Sequence, residues 1–139
     1  MRVERLLTMQ IDVFGREREI DESRITAEPE LIREQLREYE AGDRGTFDLE
    51  VEFPDGFTGR VMRAMMAIPA GETRTYGALA DDLESAPIAV GQACGRNPIP
   101  VIVPCHRIVG VDSLVGYGGG LELKRELLEH EGAALPGEP

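Results

Sequence analysis

The residues of this chain best suited to chemistry lie together in Pro104-Cys105-His106-Arg107-Ile108. A thiol sits beside an imidazole there, directly after the apolar, proline-flanked run Ile99 to Val103. Cysteine attacks only as thiolate, and a neighbouring imidazole is a common means of taking its proton. The pair could therefore deliver a soft nucleophile to an electrophilic carbon. Its setting narrows the reading. Asn97-Pro98 lies just upstream, and Gly116-Tyr117-Gly118-Gly119-Gly120 lies downstream. Small residues in such a loop let backbone approach a flat ligand closely. Cys94 is the other cysteine and His130 the other histidine. No further ligands are spaced to complete a zinc site or a disulfide framework, so no metal is expected. Cys94 reads as a small packing residue. His130 reads as an exposed residue at a helix end, its cationic form favoured by the helix C-terminus.

These groups must be positioned by a modest scaffold. At 139 residues the chain suits one compact domain, or a small N-terminal lobe on a larger C-terminal domain. It has no long apolar run and no charged-then-apolar leader, so a soluble cytoplasmic protein without membrane contact is expected. Asp and Glu number 26 against 15 Lys and Arg, and Lys124 is the only lysine. An acidic, lysine-poor surface of this kind suits a salt-adapted cytoplasm. Evenly spread, a net charge of -11 would speak against nucleic acid. It is not evenly spread. Residues 1–52 hold 15 acids and 8 arginines, whereas Ser85 to Val111 holds no acid and two arginines, Arg96 and Arg107.

Periodicity supplies the elements. Leu6 to Val13 reads as a strand ending at Phe14-Gly15. Pro29 suits a first helical turn, with Leu31, Ile32, Leu36 and Tyr39 following at helical spacing up to Ala41-Gly42. Phe47, Leu49, Val51 and Phe53 alternate with acids, as in a half-buried strand. This first segment carries no assigned chemistry. Phe57, Val61, Met65 and Ile68 form a helical stripe closed by Pro69-Ala70-Gly71, with Met62, Met65 and Met66 filling core. Thr75 can cap a short helix to about Leu83, and Pro87 opens another that runs to Cys94. Two short helices with a tight link suggest a helix-turn-helix. Leu121 to Glu131 forms a last helix, ended by Gly132.

From Phe57 to Gly132 the chain resembles the C-terminal domain of O6-alkylguanine-DNA alkyltransferases. The matching pieces are Ile68-Pro69-Ala70-Gly71, Thr75-Tyr76-Gly77, Ala89-Val90-Gly91-Gln92-Ala93, Asn97-Pro98, Pro104 to Val109, Gly116 to Gly120, Lys124, Leu127-Leu128 and His130-Glu131-Gly132. Pattern and resemblance together imply an α+β fold. A small strand-helix-strand lobe (1–52) would precede a mainly helical domain (53–139) with a winged-helix-like helix-turn-helix.

The resemblance implies irreversible transfer of a methyl or alkyl group from guanine O6 in DNA to Cys105, once, by a monomer without a cofactor. The partner would be alkylated duplex DNA with the guanine flipped out. His106 would take the thiol proton through a bound water, and Glu131 would orient His106. Tyr76 would donate to the departing guanine. Asn97 would tie together the backbone before the cysteine. Ile108, Tyr117 and Gly118 would line the base pocket. Ala89, Gly91, Arg96 and Lys124 would contact DNA or base, and Arg107 either braces the site or meets a phosphate. The resemblance departs at Ile88, where the family usually places an arginine that fills the space of the flipped nucleotide. An apolar wedge can unstack bases, but it brings no charge. Two other readings remain open: a non-catalytic sensor of alkylated DNA, and an unrelated Cys-His hydrolase needing an oxyanion hole.

Overall fold

The computed structural model describes residues 8–114 and 120–136. The chain opens with strands β1 (Thr8–Val13) and β2 (Arg16–Asp21), paired antiparallel. Phe14 and Gly15 between them have φ of 50° and 80°, the left-handed geometry that two-residue hairpin turns favour. β1 sends Met9, Ile11 and Val13 inward. Sequence reading did not single out β2, because in Arg-Glu-Arg-Glu-Ile-Asp only Ile20 is buried.

A single 3-10 turn leads to β3 (Ile25–Thr26), and helix α1 (Pro29–Glu40) follows. Ile32, Gln35, Leu36 and Tyr39 form the buried face of α1. The strand expected over Phe47–Phe53 shrinks to β4 (Glu50–Val51), paired antiparallel with β3. The reason lies in its backbone partners. Gln35 accepts from the Asp48 N–H (2.9 Å) and donates to the Asp48 carbonyl (3.2 Å), so a side chain replaces the ladder there.

Helix α2 (Phe57–Met66) buries Val61, Met62 and Met65 as core filling, while Met66 reaches solvent. Two short strands, β5 (Arg74–Thr75) and β6 (Ile108–Val109), pair in parallel. Helix α3 (Tyr76–Asp82) starts straight from β5, its first turn capped by Thr75 Oγ1 accepting from the Ala78 N–H at 3.0 Å. Helices α4 (Pro87–Gly95) and α5 (Leu121–His130) complete the fold. α3 and α4 pack as a helix-turn-helix pair. One apolar core runs from Met9, Ile11 and Leu36 through Met65, Leu79 and Val90 to Leu123 and Leu127. The N-terminal segment therefore shares its core with the helices that follow. Arg16 on β2 also reaches Glu126 on α5 at 2.6 Å. Among the described residues no helix is long and apolar enough to cross a membrane.

Candidate active site

The segment between α4 and β6 cannot be helical, with Pro98, Pro100 and Pro104 in it. Asn97 organises it instead. Its side-chain amide donates to the Val103 carbonyl (2.9 Å), and its oxygen accepts from the Ile99 N–H (3.0 Å). The Val103 N–H also bonds the Ile99 carbonyl at 2.9 Å. Within this loop Val101 has φ 74°, a strained conformation for a β-branched residue that persists only where surroundings enforce it. The loop delivers Cys105-His106-Arg107 as one 3-10 turn just before β6. Because β6 pairs with β5, the same ladder sets Tyr76, the first residue of α3, beside that turn.

His106 is fully buried, and its Nε2 lies 2.8 Å from Glu131 Oε2. The two residues are 25 positions apart in the chain, and the fold brings them together as expected. Glu131 caps the C-terminal end of α5, where the helix dipole disfavours a carboxylate. Four donors compensate. Arg107 Nε meets Oε1 at 2.9 Å, while Arg107 Nη2 (2.8 Å) and Tyr39 Oη (2.6 Å) join His106 on Oε2. Burial alone would raise the Glu131 pKa, but His106, Arg107 and Tyr39 hold it down at about 2. Glu131 is therefore ionised and can only accept, so His106 Nε2 carries the proton. Burial pushes the His106 pKa down against the pull of Glu131, leaving a neutral ring at rest. Nδ1 is then the basic nitrogen. It is buried and makes no hydrogen bond among the described residues.

Cys105 is 7 % exposed. Burial pushes its thiol pKa up, while the Asn97 amide, Arg18 and Lys124 pull it down. It rests as a thiol that needs a base. Burial and the two neighbouring cysteines push the Tyr76 hydroxyl up to about 12, so it stays a donor. Lys124 stands 5.7 Å from the Tyr76 ring centre. Its pKa is lowered to about 8 by burial, against the opposing pull of both thiols. A Cβ on Gly91 of α4 would sit 3.9 Å from the Tyr76 ring, so α4 passes close to it. Ile108 is buried beside these groups.

Several expectations change. Arg107 is 4 % exposed, and its guanidinium is taken by Glu131, the Ile68 carbonyl (2.7 Å) and the Gly45 carbonyl (3.3 Å). Of its two readings the brace is the one the geometry carries; a phosphate cannot reach it. Lys124 is also fully buried, with Nζ on the Leu114 carbonyl at 2.6 Å. It belongs to the interior beside Tyr76 rather than to a backbone-contacting surface. His130 is not a solvated helix end. Its Nε2 donates to the Tyr39 carbonyl at 2.6 Å, and its ring packs edge-on to Phe14 and Tyr39. Ile88, by contrast, is 74 % exposed on the first turn of α4. Ala89 is half-buried behind it, and Arg96 is exposed just past the end of α4. Cys94 is half-buried, its sulfur 4.0 Å from that of Met65. Tyr117 and Gly118 lie outside the described residues. Sequence reading missed Tyr39, which comes from the segment given no chemistry. Its helical spacing marked it only as a core residue.

A helix-turn-helix pair set against a buried thiol, imidazole and carboxylate defines the class: a small α+β domain with a buried Cys-His-Glu cluster beside its helix pair. Residues 56–133 match the family described as 6-O-methylguanine DNA methyltransferase, DNA binding domain, and the chain belongs to that family. It is 47% identical over 109 residues to a methylated-DNA–protein-cysteine methyltransferase of Mycobacterium tuberculosis, covering 76% of this chain and 66% of that protein. The protein of the same name from Methanosarcina acetivorans is 46% identical over 112 residues, covering 75% of this chain and 71% of its own length. The crystal structure of Mycobacterium tuberculosis OGT in complex with DNA superposes with TM-score 0.71 at 46% identity, covering 74% of this chain and 66% of that one. The crystal structure of Mycobacterium tuberculosis O6-methylguanine methyltransferase superposes with TM-score 0.72 at 36% identity, over 90% of this chain and 92% of that one. The chain thus spans about two-thirds of the length of the first of these curated relatives.

Proposed function

We propose that this protein repairs alkylated DNA by moving the alkyl group from guanine O6 to Cys105. The observation that carries the reading is the buried His106–Glu131 contact at 2.8 Å beside Cys105. It leaves a neutral imidazole with Nδ1 basic next to a thiol held protonated by burial. In the reaction the Cys105 proton passes to Nδ1 through a water, and Glu131 stabilises the resulting imidazolium. The thiolate then displaces guanine from the alkyl carbon. The S–C bond forms, the C–O6 bond breaks, and its electron pair leaves on the purine. Tyr76 donates to that purine as its negative charge grows. A thioether has no route back to a thiol here, so each molecule acts once. Neither cofactor nor second subunit enters these steps. The guanine must leave the stack to reach a buried thiol, and the exposure of Ile88 at the start of α4 supports the reading that this helix faces the duplex.

The experiment is direct. The protein is incubated with an oligonucleotide carrying O6-methylguanine in high salt, and the Cys105 peptide is weighed by mass spectrometry. A stoichiometric methyl adduct, absent in Cys105→Ala, is the expected result. Tight lesion binding with an unmodified thiol would overturn transfer in favour of a sensor.

A further inference from the structure

Chemistry in the proposed reaction falls to residues after position 53, yet one hydroxyl from the N-terminal segment touches its carboxylate. Tyr39, near the end of α1, is 1 % exposed and donates to Glu131 Oε2 at 2.6 Å. The same oxygen meets His106 Nε2 and Arg107 Nη2, each at 2.8 Å. We infer that Tyr39 is a positioning residue: its phenol fixes the Glu131 carboxylate in the orientation, and at the basicity, that leaves His106 a neutral proton acceptor. The inference rests on the reading that His106 takes the Cys105 proton.

The ring has little freedom to do anything else. It packs against Phe14, Phe47 and His130 with centroids at 6.5, 5.5 and 5.0 Å. Its backbone carbonyl is held by His130 Nε2 at 2.6 Å. A buried phenol needs an acceptor, and here the acceptor is the group that orients the base. The electrostatic consequence has a definite sign. An oxygen shared among three donors is a weaker acceptor than one shared between two. Without the hydroxyl, Glu131 concentrates more charge on His106 Nε2 and favours the imidazolium. The resting ring would then be protonated at higher pH and unable to accept the thiol proton. The charged and titratable groups that bear on His106 are Glu131 and Lys124 from α5, Arg107 and Cys105 from its own turn, and Tyr39 from α1 through Glu131. Of these, Tyr39 is the one whose loss removes a donor from the carboxylate without removing a charge.

The test uses the fact that His106 and His130 are the only histidines. Both rings are followed by NMR in 13C,15N-histidine-labelled full chain, with His106→Gln assigning the signals. In Tyr39→Phe the His106 midpoint should rise by about half a pH unit, a roughly threefold gain in proton affinity. The acid limb of methyl transfer from an O6-methylguanine oligonucleotide should move up with it. Phe14→Leu, which loosens the ring's packing but keeps the hydroxyl, should lower the melting temperature and leave the midpoint in place. An unmoved midpoint in Tyr39→Phe, or an equal shift in Phe14→Leu, would overturn the inference. The NMR result stands by itself: a wild-type chain that takes no methyl group from DNA would sink the proposed function and still leave Tyr39 judged.

Discussion

At the scale of single residues, burial and hydrogen bonding widen the pH range over which the site's groups keep the protonation states they have in neutral water. Burial keeps Cys105 a thiol to higher pH and His106 neutral to lower pH, and Glu131 stays ionised to lower pH because its donors outweigh burial. Two of these shifts tie stability to pH. Glu131 falls from an ordinary 4.5 to about 2 in the folded chain. Its contribution is complete above 4.5 and is lost as pH drops through 2, about 3 kcal/mol in all. His106 acts in the same direction. Below its ordinary 6.5 the unfolded chain gains a proton that the buried ring resists. Folding stability should therefore decline from about pH 6.5 downward and steepen below 4.5. Chemical denaturation across pH 2.5 to 7.5 measures this. Glu131→Gln should be less stable than wild type at neutral pH and show a flatter acid limb. Parallel curves for the two proteins would mean that the acid sensitivity originates elsewhere.

At the scale of elements, the prediction concerns α4. Its first turn begins with Pro87 and presents Ile88 to solvent at 74 % exposure. An isoleucine there can wedge into a stack but cannot satisfy the base left unpaired by an extruded guanine. A charge-assisted hydrogen bond from an arginine would contribute about 1.5–3 kcal/mol to that state. Ile88→Arg should thus speed methyl transfer from duplex by roughly tenfold or more, with little change on single strands, where nothing need be extruded. It should leave the melting temperature nearly unchanged, as exposed positions do. Equal acceleration on both substrates would remove α4 from the extrusion step. The elements that carry the chemistry were the ones most legible in the chain, because prolines, caps and apolar spacing all coincide there. Pro29, Pro87 and Thr75 marked where α1, α4 and α3 begin, and the structure starts those helices at or beside them. The misses share a physical cause. β2 buries one side chain, so it has no apolar alternation to read. The Phe47–Phe53 stretch alternates correctly, but Gln35 occupies the backbone groups a ladder would use. Tyr39 and His130 look like one core residue and one surface residue; only their meeting across 91 positions reveals a shared role. No spacing rule reports a contact of that range.

At the scale of the whole molecule, the acidic charge and the buried site obey different rules. The chain carries a net charge of -11, concentrated in the N-terminal segment that shares its core with α5 and α2. Such excess charge repels itself across a compact surface. The exposed ion pairs do little against it. Arg16–Glu126, Arg44–Glu38 and Arg74–Asp82 are partly solvated, and pairs of that kind contribute about 0–1 kcal/mol each. Salt weakens both effects, but the excess of acids over bases makes repulsion the larger one. The Arg107–Glu131 pair is hidden from salt, with side chains 5% and 1% exposed, so the site should keep its geometry throughout. Raising potassium chloride from about 0.1 M to 1 M shortens the screening length from roughly 10 Å to 3 Å. Relief of about 1 kcal/mol would then raise the melting temperature by roughly 3–6 °C for a domain of this size. Calorimetry across that range checks it, with chloride preferred because sulfate also strengthens apolar burial. The His106 titration midpoint should move far less than the melting temperature over the same range. A melting temperature that stays flat or falls would show that the surface pairs outweigh the repulsion. A midpoint that tracks salt would show that the site is open to solvent.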